Sequence, residues 1–160
     1  MSSITDPHLA LLSFQKALIS GTIKPKRCKV QRELYYLRDK PTPQTIRMTY
    51  AMVVGRQVKS LAIYMENEPY EGKRCFGIGY AVAVHYRGQG LAKAVVEASL
   101  EEFAMMLRKD MVVPGFFVEA IVDVNNAPSN RVAEQLFGEP KPTRESESGL
   151  PALHYMKRLN

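Results

Sequence analysis

The spacing of apolar residues changes character several times along the chain, and each change marks an element. After Asp6-Pro7, a favourable helix start, Leu11, Leu12, Leu18 and Ile19 recur at helical spacing until Gly21 stops the pattern. Residues 29–37 mix polar and apolar positions around Tyr35 and Tyr36 and read as a strand, with Asp39-Lys40-Pro41-Thr42-Pro43 as the loop that ends it. Residues 45–54 and 58–65, rich in β-branched and aromatic side chains, flank a tight turn at Gly55-Arg56 and read as an antiparallel hairpin. A polar loop over 66–73 leads to a strand over 75–84, with Ile78, Tyr80, Val82 and Val84 on one alternating face. Inside it, Gly77-Ile78-Gly79 reads as a bulge or a close backbone contact.

Helical spacing returns at Gly90, where Leu91, Val95, Leu100, Phe103 and Leu107 form one stripe and Lys93, Glu97, Glu101 and Arg108 the opposite one. Pro114-Gly115 is expected to end this helix. Residues 116–124 form an apolar strand, Asn126 opens a short helix through Leu136 that Gly138 and Pro140 terminate, and a last strand covers about 152–159. The order predicts an α/β fold, a mixed and mostly antiparallel sheet of six to seven strands flanked by helices. With no repeat, low-complexity stretch or linker, 1–160 is expected to be one domain.

Composition narrows the classes of function. The N-terminal apolar residues follow no basic region and are interrupted by Gln15 and Lys16, so they predict an amphipathic helix and not a signal peptide. No apolar run approaches the roughly 18–20 residues that cross a bilayer. Twenty-two Lys and Arg against sixteen Asp and Glu leave a formal charge of +6, which favours anionic partners. The basic residues cluster only around Lys24–Lys29 and Lys157-Arg158, which disfavours a dedicated nucleic-acid binder. Cys28 and Cys75 form neither a CxxC nor a cluster with the three histidines, so no metal site is expected and a reducing cytoplasm fits. The basic neighbours of Cys28 favour its thiolate, yet a small bystander thiol is the preferred reading.

The segment Arg87-Gly88-Gln89-Gly90-Leu91-Ala92-Lys93 lies where a strand hands over to a helix. Glycines there expose backbone amides, the helix dipole adds positive charge, and an anion is expected to bind. Lys93 sits at the unfavourable end of that dipole, which a bound pyrophosphate corrects. A dinucleotide GxGxxG starting at Gly88 needs glycine or alanine where Lys93 stands, and no GxxxxGK[ST] loop exists.

Arg87, Gly90 and Ala92 match the Q/R-x-x-G-x-G/A signature of the GCN5-related N-acetyltransferases, which this chain resembles. The surrounding residues 80–92 are similar to that family's fourth strand, loop and helix entry, although Val84 replaces a frequent proline, and 120–132 are similar to its fifth strand and asparagine-led fourth helix. No helical pair is evident between the first two strands, where the family has one.

The resemblance implies a sheet splayed at a cofactor cleft and acetyl-CoA, or another acyl-CoA, as co-substrate. Its pantetheine arm is expected along Ala81 and Val82, its pyrophosphate on the amides of Gly88 to Lys93, and an amide near Val82 as oxyanion donor. Asn126 is expected to cap its helix and to contact the cofactor. An acceptor amine, on a small molecule, peptide or protein, would attack directly, and it needs a base at neutral pH. Glu119 is the first candidate and His85 the second. The family often places a tyrosine seven residues after that asparagine; here the position is Ala133, leaving Tyr155, Tyr86 or solvent to protonate the leaving thiolate. Two other functions stay open, a non-catalytic acyl-CoA-binding module and acylation of an RNA-borne amine. A homodimer is one assembly this expectation allows, and acceptor choice is expected to reside in loops 66–73 and 139–150.

Overall fold

The computed structural model describes residues 6–109 and 114–160. Helix α1 (Pro7–Ser20) is capped by Asp6, whose carboxylate accepts from the His8 amide at 3.0 Å, and Gly21 closes it in the left-handed conformation. Five strands follow: β1 (Lys26–Arg27), β2 (Leu34–Thr42), β3 (Thr45–Val54), β4 (Gln57–Tyr70) and β5 (Lys73–Val82). Then come a single 3₁₀ turn (Val84–Tyr86), α2 (Leu91–Arg108), β6 (Phe116–Asp123), α3 (Ala127–Phe137), β7 (Lys141–Arg144) and β8 (Pro151–Leu159). The strands form one eight-stranded sheet in the order β1-β2-β3-β4-β5-β6-β8-β7. Every neighbouring pair is antiparallel except β5 and β6, which α2 connects as a crossover.

Several expectations are corrected. Residues 39–42 continue β2, with Asp39 opposite Arg47 and bound to it, and the turn into β3 is only 43–44. Pro41 fits because the ladder shifts register there and no strand pairs with β2 on its outer side beyond Tyr36. Residues 66–73 are not a loop: β4 and β5 stay paired as far as Tyr70–Lys73, around a two-residue turn in which Glu71 and Gly72 have φ of 48° and 73°. The ladder runs without a shift through Gly77-Ile78-Gly79, so no bulge forms there. β7 is a polar edge strand inside the expected loop 139–150, and α2 ends at Arg108; residues 110–113, before the expected stop at Pro114-Gly115, lie outside the described residues. No helical pair separates β2 from β3, as the sequence indicates.

Alternation divides the core between the two faces of the sheet. On one, Tyr50, Tyr64, Phe76, Ile78 and Tyr80 meet the apolar stripe of α2 and the Ala133–Phe137 side of α3. On the other, Leu11 and Phe14 of α1 cover Ala51, Leu61 and Ile63. Cys28 is buried in the first cluster, and burial pushes its thiol up to about 12, opposite to the effect its basic neighbours alone would have. Among the described residues no helix is long and apolar enough to cross a membrane.

Phe103 sits at the centre of the first face. Its ring stacks on Tyr64 at 4.3 Å and meets Phe76 edge-on at 4.9 Å, while the Tyr64 hydroxyl hydrogen-bonds Ser99 Oγ at 2.7 Å. Phe103→Ala is expected to cost about 3–5 kcal/mol, read as a lowered midpoint in urea unfolding. A loss near zero would show that the aromatic cluster does not hold α2 on the sheet.

Candidate active site

The site begins where two strands stop pairing. β5 and β6 share only the pairs Cys75–Phe117, Phe76–Val118 and Gly77–Glu119. Beyond Gly77, β5 is laddered only to β4, as far as Val82–Ser60, and β6 only to β8, as far as Asp123–Ala152. A gap therefore opens between them. The Ala83 amide donates to the Lys59 carbonyl at 2.9 Å, so by alternation Ala81 also turns its main-chain groups toward β4, and Ile78, Tyr80 and Val82 turn theirs into the gap. Of the two residues expected to pair with the cofactor arm, Val82 offers its backbone and Ala81 does not.

At the far end of β5 the chain turns into α2. Gly88 and Gly90 have φ of 79° and 73°, in the left-handed region, and a Cβ on either would meet nothing within 4 Å. No side chain caps α2, whereas Asp6 caps α1 and Asn126 caps α3. The first-turn amides of Leu91, Ala92 and Lys93 precede the first intrahelical bond, Ala94 to Gly90, and have no partner among the described residues. Free donors, a helix dipole and open space in front of two glycines form a cradle that fits a phosphate or pyrophosphate.

The nearby side chains contribute less than their charges imply. Arg87 donates from Nε to the Val82 carbonyl at 3.2 Å and lies 3.4 Å from His8 Nδ1, bracing the loop against β5 and the start of α1. Lys93 approaches Glu97 at 3.7 Å across one helical turn, and Gln89 is exposed. The donors left without a partner at this end are main-chain amides.

Glu119 lies at the other end of the gap, in the last pair before the strands part, on the face that α1 covers. Asn67 Nδ2 on β4 donates to its Oε1 at 2.8 Å, and His154 Nε2 on β8 is 2.8 Å from its Oε2. The His154 bond, more than that of Asn67, holds the carboxyl below its usual range against the opposing effect of burial. Cys75 adjoins it, and burial together with that carboxylate pushes the thiol up to about 12. Among the described residues no group of three His, Cys, Asp or Glu is arranged to hold a metal ion.

The other nominated groups are dispersed. Tyr155 faces the opposite side of the sheet, beneath α3, 1% exposed, with its hydroxyl 2.8 Å from Asn130 Oδ1 and its pKa pushed above the ordinary phenol value by burial. Tyr80 reaches the same turn of α3 from β5, donating to the Ser129 carbonyl at 2.8 Å. The first turn of α3 is thus tied to β5 by Tyr80 and to β8 by Tyr155, on either side of β6. Asn126 Oδ1 accepts from the Ser129 amide at 3.2 Å, the expected cap. Ala133 is fully buried, Tyr86 donates to Gln57 Oε1 at 2.6 Å, and His85 is exposed on the 3₁₀ turn. The sequence offered no sign of Asn67 and His154, because they reach Glu119 only through strand register.

The comparisons agree with this geometry. The sequence profile of the acetyltransferase (GNAT) family matches residues 32–138, more than half of the chain. No curated protein sequence matches. Among solved structures, a GNAT-family acetyltransferase from Streptococcus pneumoniae superposes with a TM-score of 0.54 at 8% identity, over 71% of this chain and 67% of its own. The ribosomal-protein-alanine N-acetyltransferase of Brucella melitensis gives 0.51 at 20% identity, over 71% and 69%. The Salmonella typhimurium protein yncA, solved with its cofactor acetyl-CoA, gives 0.53 at 14% identity, over 71% and 65%. Profile match, sheet order, splayed strands and uncapped glycine-led helix together identify the chain as a member of the GNAT family of acetyltransferases.

Proposed function

We propose that the chain transfers an acetyl group from acetyl-CoA to a primary amine by direct attack in a ternary complex. The observation that carries this reading is the pairing of an uncapped, glycine-led α2 with an ionised carboxylate at the far end of the same gap. Five residues of extended strand, about 16 Å, separate Gly77 from Val82, so a ligand held by its phosphates at α2 needs a long arm to bring its reactive end to Glu119. Acetyl-CoA has such an arm and supplies the thioester carbon. The Gly88, Gln89, Gly90, Leu91, Ala92 and Lys93 amides hold the pyrophosphate, Arg87 steadies the loop, and Asn126 keeps the first turn of α3 in place. Val82 offers an amide for the carbonyl oxygen.

The amine enters from the α1 face, where Glu119 drives its deprotonation. Water supplies the proton for the departing sulfur in this reading, because Tyr155 is tied to Asn130 under α3 and position 133 is alanine. That same lack of a free acid is what a non-catalytic acyl-CoA-binding module would show, and turnover separates the two. The amine panel to try first contains an alanine-initiated peptide, since the Brucella relative is a ribosomal-protein-alanine N-acetyltransferase, followed by lysyl peptides and small amines.

Acetyl-CoA at a hundredfold excess over its Kd is expected to stabilise the fold by about 2.7 kcal/mol, roughly 5–10 °C in Tm for a chain of this size. Gly90→Glu places a carboxylate where phosphate belongs and should abolish that shift in a thermal melt; a shift retained by the variant would remove the cradle from the binding site. Glu119→Gln should lower CoA release by about a hundredfold while leaving the acetyl-CoA-induced Tm shift intact. An unchanged rate would dismiss Glu119.

A further inference from the structure

We infer that the base of this site is a pair, in which His154 Nδ1 accepts the proton of the attacking amine and Glu119 orients the ring. The inference rests on the acetyl-transfer reading above and specifies which atom that reading uses.

Glu119 is poorly placed to act alone. Asn67 occupies Oε1 and His154 occupies Oε2. A carboxyl held below its ordinary range stays ionised through neutral pH and has little affinity for a proton leaving an amine. An ionised carboxylate only accepts hydrogen bonds, so the imidazole nitrogen that faces it, Nε2, carries the hydrogen, and the lone pair of the neutral ring is on Nδ1. Among the described residues Nδ1 has no hydrogen-bond partner. A carboxylate that accepts from one ring nitrogen fixes the tautomer of an imidazole and the direction its other nitrogen faces.

Position agrees with this role. His154 is the outer member of the pair, its side chain 29% exposed against 15% for Glu119. It lies on β8 across from Ile121, one strand outside the gap, and its ring reaches over β6 to Glu119 at the last β5–β6 pair. Ile121 itself is 44% exposed, so that stretch of β6 is accessible. The charged and titratable groups on the same face from β5 to β7 include Lys73 and Cys75 on β5, Asp123 on β6, Lys141 on β7 directly across from His154, and Arg158 on β8, with the Asp39–Arg47 pair farther off on β2 and β3.

The step balances without a further reactant. As the amine lone pair forms the C–N bond to the acetyl carbon of acetyl-CoA, the N–H proton passes to Nδ1. The electron pair of the broken C–S bond leaves on sulfur, which takes a proton from water, and the imidazolium returns its proton to water.

Two measurements test the pair. In the ligand-free protein, ¹⁵N-imidazole NMR at alkaline pH is expected to show His154 protonated on Nε2 and bare on Nδ1, with Glu119→Gln shifting the tautomer balance. A ring protonated on Nδ1, or one indifferent to Glu119→Gln, would overturn the pair whatever the turnover. With acetyl-CoA and the best amine of the panel, His154→Gln, which keeps an amide donor for Glu119, should lose about a hundredfold in kcat with an unchanged KM for acetyl-CoA. Added imidazole should partly restore CoA release by His154→Ala. Full activity in His154→Gln with a dead Glu119→Gln would sink His154 alone. No turnover by the unmodified protein on any amine would sink the acetyl-transfer reading, and the catalytic role of the pair with it.

Discussion

Three residue pairs between β5 and β6 join the two halves of this sheet, and the shortness of that ladder is the constraint from which the site follows. β5 and β6 meet only from Cys75–Phe117 to Gly77–Glu119. Each strand is secured from its outer side, β5 by β4 and β6 by β8, over longer ladders. The sheet can part in the middle without either half losing its own hydrogen bonds. Parting leaves the main-chain groups of Ile78 and Tyr80 and the amide of Val82 without a strand partner, and unpaired strand edges call for one. In most sheets that partner is another strand; here the first turn of α3 is tied to β5 by Tyr80 and to β8 by Tyr155, and the edge stays available to a ligand.

The two ends of the gap differ in chemistry. At the α2 end three helix amides are left without a cap, a local excess of positive potential that no side chain offsets. At the Gly77–Glu119 end a carboxylate is satisfied by side chains from two other strands and stays charged. A ligand with an anionic head and a neutral, electrophilic tail is oriented by that difference before any specific contact is made. The faces differ too: Glu119 and His154 look toward α1, Tyr155 toward α3.

The parts of this arrangement legible in the sequence are those set by local rules. The stripe from Leu91 to Leu107, the cap at Asn126 and the left-handed glycines at 88 and 90 follow from spacing and backbone chemistry within a few residues. Residues 39–42 and 66–70 read as loops because, at the projecting ends of hairpins, both faces meet water and alternation disappears; their strand character comes from the partner strand. The polar edge strand β7 escaped for the same reason. The contact of Asn67, Glu119 and His154 joins three distant segments, and no pattern along the chain encodes a register that four strands must define together. Glu119 stood out because it is acidic within an apolar strand; His154 lacks even that contrast.

With Arg87 turned onto Val82 and Lys93 beside Glu97, the donors left open at the head of the cleft are backbone amides. An amide is the same in every residue except proline, so such a cleft asks little of side-chain identity beyond the two glycines whose φ it needs. Proteins sharing the fold at 8–20% identity are then no surprise. What they have in common is a path of the main chain, and a letter-by-letter comparison is nearly blind to a path.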